Sequence, residues 1–136
     1  MNLGFRVDAS KDIGYGHWFR CLNLSRILKS NNTYFFSKSY VNNLKDSKIN
    51  LIKLKKNISK DLELIELKKK IQINKIDILI IDNYKYGYSF QKKIKKYVKK
   101  LIIIDDYINK KYICDIYLNY SFFNSSEKKF LKRKNF

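Results

Sequence analysis

Two short runs of purely apolar residues constrain the fold of this chain most strongly: Ile78-Leu-Ile-Ile81 and Leu101-Ile-Ile-Ile104. No polar residue interrupts either run, so both faces of each strand must be covered. Strands of that kind are typical of parallel sheets, in which helices pack on each side. We therefore expect the two runs to be central strands of an open parallel sheet.

The rest of the chain alternates short apolar segments with longer amphipathic ones, which is the pattern of consecutive βα units. The predicted strands are residues 3–8, 34–37, 51–54, 77–82, 101–104 and 116–118, and the predicted helices are 17–30, 62–73 and 90–100, with a weak helical piece at 41–46. The sequence predicts an α/β protein with a Rossmann-like open parallel sheet and helices on both faces. One domain is expected over residues 1–120, followed by a linker over 121–136.

The apolar residues of the first two helices are expected to face the core. They are Trp18, Cys21, Leu22, Leu24, Ile27 and Leu28 in the first helix, and Leu62, Ile65, Leu67 and Ile71 in the second. Their spacing of three and four residues places each set on one side of a helix.

Composition excludes several classes of protein. The hydrophobic content of 45% excludes disorder. The longest apolar runs are far shorter than the roughly 20 residues of a membrane span. The N-terminus lacks the features of a secretory signal, so we expect a cytoplasmic protein. Cys21 and Cys114 have no metal-type spacing and are expected to be free thiols.

The net charge of +18 would ordinarily raise the possibility of nucleic-acid binding. Here nearly all the positive charge is lysine, spread with Asn and Ile along the whole chain, a pattern that codon bias in an AT-rich genome produces. A nucleic-acid face would need clustered Arg and Lys with exposed aromatic residues. We therefore expect no nucleic-acid partner.

A loop with two glycines, Gly14 and Gly16, joins the first predicted strand to the first predicted helix. The unpaired N–H groups at such a helix start, together with the helix dipole, suit a phosphate or diphosphate. His17, the only histidine, lies at this point and can act as a general base. Arg20 falls on the same side of the first helical turn, where its guanidinium can grip a phosphate or carboxylate. The alternative is a simple glycine turn followed by a histidine that bonds to backbone.

Polar residues also follow two later strands, as Asp82-Asn83-Tyr84 and Asp105-Asp106. Because the carboxyl ends of parallel strands share one edge, these residues should converge on the glycine loop. The alternative is that the carboxylates only cap the helices or turns that follow. One histidine and scattered aspartates form no recognisable ligand set, so neither a metal nor a cofactor is expected.

Gly14-Tyr-Gly16-His17-Trp-Phe-Arg20-Cys21-Leu22 resembles the Gly-x-Gly-His-x-x-Arg-Cys-Leu motif of a known family. The family comprises the UDP-2,4-diacetamido-2,4,6-trideoxy-beta-L-altropyranose hydrolases of pseudaminic acid biosynthesis and the related spore coat polysaccharide biosynthesis proteins. Later segments agree in order: Asp82-Asn83-Tyr84 with Asp-His-Tyr, Ile104-Asp105-Asp106 with Ile-Asp-Asp, Cys114-Asp115 with Cys-Asp before a short strand ending at Asn119, and 131–136 with the segment between the family's domains.

This resemblance implies the N-terminal half of a two-domain, glycosyltransferase-like (GT-B) architecture. It implies that water attacks the anomeric carbon of a UDP-linked amino sugar, without a metal, and releases UDP and the free sugar. His17 matches the catalytic base, and Tyr84 matches a residue of the substrate pocket. The expected substrate-binding set is Gly14, Tyr15, Gly16, Arg20, Asp82, Tyr84 and Asp106.

The chain departs from the family pattern in two respects. Asn83 stands where the family usually has His, and we expect this chain to lack the C-terminal domain that holds most of the family's uridine and diphosphate contacts. Hydrolysis is therefore expected only with a C-terminal half, which a separate gene could encode. A truncated, non-catalytic binding domain and a glycosyltransferase-like domain remain open as alternatives.

Overall fold

The computed structural model describes residues 1–40, 47–106 and 111–119. Within these ranges six strands form one all-parallel sheet in the order β3-β2-β1-β4-β5-β6. The strands are β1 (Asn2–Val7), β2 (Asn32–Ser37), β3 (Ile49–Lys53), β4 (Ile78–Asp82), β5 (Lys100–Ile104) and β6 (Ile116–Leu118); the helices are α1 (Gly16–Ile27), α2 (Lys60–Ile73) and α3 (Tyr88–Ile94). The predicted α/β class and Rossmann-like open sheet are confirmed.

The strand order reverses between β1 and β4. The chain moves outward from β1 to β3, then returns to place β4 on the other side of β1, with Val7 opposite Asp82. Such a reversal opens a crevice at the carboxyl ends of the two strands, where ligands bind in open α/β sheets. The loop after β1 and the residues after β4 therefore meet at this crevice.

Helices cover both faces of the sheet, as predicted. On one face α1 packs through Trp18, whose ring lies 5.0 Å from the ring of Phe35 in β2. On the other face α2 and α3 contribute Leu67 and Ile94 to the same core cluster as Leu79 of β4. Because β4 and β5 lie between these layers, their uninterrupted apolar runs are covered on both sides.

Two helices end earlier than predicted. The first ends at Ile27 instead of residue 30, and the third ends at Ile94 instead of residue 100. A 3₁₀ turn, Lys95–Tyr97, follows α3, and the N–H groups of Lys99 and Lys100 donate to the carbonyl of Asp77. Because these N–H groups bond to the residue just before β4, Lys99 and Lys100 are not helical, although the local sequence pattern favoured a helix there.

Three apolar residues expected in the core are exposed: Ile27 (75%), Leu62 (54%) and Ile65 (61%). On α2 the reason is Glu63, which is only 2% exposed and bonds to the fully buried Arg6 of β1. Because a buried guanidinium requires a carboxylate partner, α2 turns the face with Glu63 toward the sheet. Leu62 and Ile65 then face outward.

Two predicted segments, the helical piece at 41–46 and the linker at 121–136, lie outside the described residues. The division into a domain and a linker stays a prediction. Across the described ranges, no helix has the length and apolar character needed to cross a membrane.

Gly4 provides a test of the packing between β1 and α2's side of the sheet. A Cβ there would lie 2.9 Å from Cε2 of Phe36 and 3.0 Å from Cγ2 of Ile76. We expect Gly4→Ala to lower the free energy of unfolding by about 1–3 kcal/mol, because overpacking displaces buried neighbours. The matched variant Gly16→Ala meets open space and should change it by less than about 0.5 kcal/mol. Urea unfolding measures the free energy of unfolding of both variants. Equal changes in the two variants would contradict the close packing around Gly4.

Candidate active site

The loop after β1 folds back on itself before α1 begins. The N–H of Gly14 donates to the carbonyl of Ser10 (2.8 Å), and the N–H of Ile13 donates to the hydroxyl of Ser10 (3.1 Å). Gly14 has φ +84°, a left-handed conformation that glycine adopts without strain. This turn delivers the chain to Tyr15, the N-cap of α1.

The start of α1 keeps the positive character of a helix N-terminus. No side chain caps it, and its first turn holds no acidic residue. Its first N–H groups have no intrahelical acceptor, as in any α-helix. The N–H groups of Gly16 and His17 are therefore of the kind that suit an anion, and binding of an anion to the predicted segment Gly14–Gly16 stays a prediction.

His17 is held by a buried carboxylate. Its Nδ1 lies 2.7 Å from Oδ1 of Asp82, and the Asp82 side chain is fully buried, whereas that of His17 is 18% exposed. An ionised carboxylate only accepts hydrogen bonds, so the proton of a neutral imidazole belongs on Nδ1 in this pair. Nε2 then keeps the lone pair, as a general base requires.

Arg20 binds the same carboxylate with two nitrogens. Its Nε lies 2.7 Å from Oδ2 of Asp82, and its Nη2 lies 2.6 Å from Oδ1 and 2.9 Å from Nδ1 of His17. The thiol of Cys21 lies 3.6 Å from Oδ2. His17, Arg20 and Cys21 reach one acceptor because residues three and four apart share a side of a helix.

These donors set the protonation of the cluster. Burial by itself would raise the pKa of Asp82, but hydrogen bonds from His17 and Arg20 outweigh burial and hold it below its usual value. Burial raises the pKa of Cys21 well above its usual range, and the nearby charge of Asp82 adds to this. At neutral pH the cluster thus contains a carboxylate and a neutral thiol, with no nucleophilic thiolate.

Tyr84 covers the imidazole from the turn after β4. The rings of His17 and Tyr84 meet edge to face, with centroids 5.1 Å apart and planes at 77°. Tyr84 is 39% exposed, so it stands at the mouth of the site. His17 is therefore oriented by a carboxylate below and an aromatic ring beside it.

The structure brings together four predicted site residues, His17, Arg20, Asp82 and Tyr84. Two of them also contact each other. The buried side chain of Asp82 pairs with His17 and Arg20, and the Nε and Nη2 edge of the Arg20 guanidinium binds Asp82. The predicted contacts of Asp82 and Arg20 with a ligand stay predictions.

Asp106 follows β5 at the same edge of the sheet and is half-buried. Its predicted contact with substrate stays a prediction. Asp105, its neighbour, is buried, and its N–H donates to the carbonyl of Leu118, the last residue of β6. Among the residues with described positions, no group of three or more His, Cys, Asp and Glu side chains is arranged to hold a metal ion.

A second polar cluster, which no sequence pattern predicted, lies behind the site on the other face of the sheet. Its members are all buried: Arg6 of β1, Asp8 directly after β1, Glu63 of α2 and Tyr86. Arg6 was a visible signal: an arginine within an otherwise apolar strand must find a buried carboxylate. Its partner could not be chosen from the sequence, because Glu63 lies 57 residues away.

Comparison with known proteins supports the fold and leaves the function open. No protein-family model matches this chain. The chain is 31% identical over 109 residues to the uncharacterized protein MJ1062 of Methanocaldococcus jannaschii. The aligned region covers 78% of this chain and 22% of that protein. The crystal structure of RSP, a Rex-family repressor, is similar with a TM-score of 0.50 and 13% identity, over 96% of this chain and 56% of that one. At that identity the likeness concerns the Rossmann-like fold alone.

Replacing the central carboxylate should remove a contribution to stability that depends on pH. Because the folded state lowers the pKa of Asp82 from its usual 3.8, its ionised form stabilises the fold above that pH, and this contribution is lost as pH falls through the lowered value. Asp82→Asn should lower the free energy of unfolding by about 1–3 kcal/mol at pH 7. Urea unfolding should show that the difference in the free energy of unfolding between Asp82→Asn and the wild type becomes smaller as the pH falls below the usual carboxyl pKa.

Asp61→Asn is the matched control, because the side chain of Asp61 is 82% exposed and pairs only with the exposed Lys93 among its described ion-pair partners. It should change stability by less than about 1 kcal/mol at either pH. A loss in Asp82→Asn that stays constant from neutral to acid pH would contradict the assignment.

Proposed function

We propose that this chain is the N-terminal, base-bearing domain of a UDP-sugar hydrolase. Its substrate is a UDP-linked diacetamido-trideoxy sugar, and its place is pseudaminic acid biosynthesis in the cytoplasm. The observation that carries the proposal is the pairing of His17 Nδ1 with the buried carboxylate of Asp82, 2.7 Å away. The ordered motif resemblance supplies the substrate class.

In the proposed reaction His17 takes a proton from water. The water oxygen forms a bond to the anomeric carbon while the bond from that carbon to the diphosphate oxygen breaks, and UDP leaves with the electron pair. The proton of the water moves to Nε2, and the imidazolium is stabilised by Asp82 through Nδ1. A metal has no part in this scheme.

The negative charge on departing UDP needs positive partners. The N–H groups of Gly16 and His17 and the dipole of α1 supply some of them. Since Arg20 is largely neutralised by Asp82, further contacts must come from a second wall of the crevice. In our proposal a C-terminal domain provides that wall, in the same polypeptide or in a separate one.

The strand order also occurs in dinucleotide-binding Rossmann domains. Their fingerprint requires a third glycine three residues after the second and an acidic residue at the end of the second strand. Here Phe19 takes the place of that glycine, and β2 ends at Ser37, followed by Lys38. These residues favour a sugar nucleotide over a dinucleotide.

The test is UDP release from the UDP-linked 2,4-diacetamido-2,4,6-trideoxy sugar, by this chain alone and together with a C-terminal half. His17→Gln should lower kcat by about 10²–10⁴-fold, the typical contribution of a general base. Asn23→Ala, an exposed change on the same helix, should leave the rate unchanged. Equal rates for wild type and His17→Gln, or no UDP release in either arrangement, would refute the proposal.

The same assay separates the alternatives. Sugar-nucleotide binding without turnover would indicate a non-catalytic binding domain. Turnover that requires an acceptor hydroxyl, with no free sugar formed, would indicate glycosyl transfer, because an imidazole can deprotonate an alcohol as well as water.

A further inference from the structure

The buried charged cluster on the α2 side of the sheet is fully bonded around Arg6. Its Nη1 and Nη2 lie 2.8 and 2.9 Å from the two oxygens of Asp8, and its Nε lies 2.9 Å from Oε1 of Glu63. Nη1 also donates to the carbonyl of Phe36 (3.3 Å), and Nη2 bonds to the hydroxyl of Tyr86. Every N–H of the guanidinium therefore has an acceptor.

The cluster is balanced in charge. Lys38 approaches the second oxygen of Glu63 at 2.6 Å, so two cations meet two carboxylates. Although burial would raise the pKa of both carboxyls, contact with Arg6 outweighs burial and keeps each pKa below its usual value. Burial raises the pKa of Tyr86, so its hydroxyl stays protonated and donates to Glu63. A network with every partner present is rigid, since losing one leaves a buried charge unpaired.

Asn83 connects this network to the candidate active site. Its Nδ2 donates to Oδ2 of Asp8 (3.1 Å), and its Oδ1 accepts from the N–H of Lys85 (3.0 Å). Asp82 and Asn83 are consecutive at the end of β4 and therefore point to opposite faces of the sheet. Asp82 binds the α1 side chains, and Asn83 binds the buried cluster.

Tyr84 lies in the chain between two residues whose side chains are bonded to the buried cluster. Asn83 precedes it and is bonded to Asp8; Tyr86 follows it and is bonded to Arg6 and Glu63. Because Tyr84 itself is 39% exposed, its own burial cannot fix the turn strongly. The bonds of Asn83 and Tyr86 to the buried cluster hold the turn on both sides of Tyr84.

We propose that Asn83 and Tyr86 are positioning residues that hold the ring of Tyr84 against His17. The buried cluster on one face of the sheet thereby sets the geometry of the imidazole on the other. The catalytic meaning of this link rests on the proposed hydrolase function, but the link itself is a property of the fold.

The first test needs no activity. Side-chain NMR of this chain measures the chemical shifts of the carbon-bound protons of His17, to which the ring current of Tyr84 contributes. The variant Tyr84→Leu gives the shifts expected when that contribution is lost completely. Asn83→Ala should move these signals most of the way toward those shifts. The matched control is Asn50→Ala, in the outermost strand β3, where the Asn50 side chain donates to the carbonyl of Thr33. This variant should leave the His17 signals at their wild-type positions.

Two results would overturn the inference. One is that Asn83→Ala leaves the His17 signals at their wild-type positions while Tyr84→Leu moves them. The other is that Asn83→Ala and Asn50→Ala move them equally, which would indicate general loosening. Tyr86→Phe, which keeps the ring and removes the hydroxyl, is the second variant and should shift the signals in the same direction as Asn83→Ala.

The second test uses UDP release by the complemented protein. If Tyr84 contacts the sugar, Asn83→Ala should raise KM by about tenfold, the size expected for one lost hydrogen bond, with a smaller change in kcat. An unchanged KM would contradict the positioning role. Because the NMR shifts report on the turn without turnover, failure of the hydrolase proposal leaves the first test interpretable.

Discussion

The buried carboxylate of Asp82 is the interaction on which the rest of the site depends. It stands where β4 returns to the side of β1, and it accepts hydrogen bonds from His17, Arg20 and Cys21 of α1. A carboxylate without these donors would be costly to bury, and the donors without it would point elsewhere. One ion thus orients the imidazole of His17 and joins α1 to β4.

The end of β4 is held from both faces of the sheet. Asp82 faces α1, while Asn83 faces the neutral cluster formed around Arg6. Tyr84, in the turn between β4 and α3, follows Asn83 directly. Side chains at such a strand end are positioned by the packed elements around them, while the imidazole of His17 stays partly exposed. Partial exposure is what proton exchange with a ligand or water would require.

The sequence predicted the sheet well because local patterns carried the necessary information. Uninterrupted apolar runs marked β4 and β5, and a glycine loop before a helix marked the start of α1. Helix ends were less predictable: Lys99 and Lys100 suit a helix locally, but both donate to the carbonyl of Asp77. The outward turn of Leu62 likewise follows from a partner in β1 that no local pattern identifies.

The sequence by itself determined the class of fold, the edge of the sheet at which polar residues gather, and the presence of one imidazole at a helix start. Only the tertiary structure decided which groups pair. It assigned Asp82 to His17 and Arg20, and Glu63 to Arg6, across separations of 57 to 65 residues. The physical reason is that strand and helix periodicity fix the direction of a side chain, whereas the partner of a buried charge depends on which distant element packs over it.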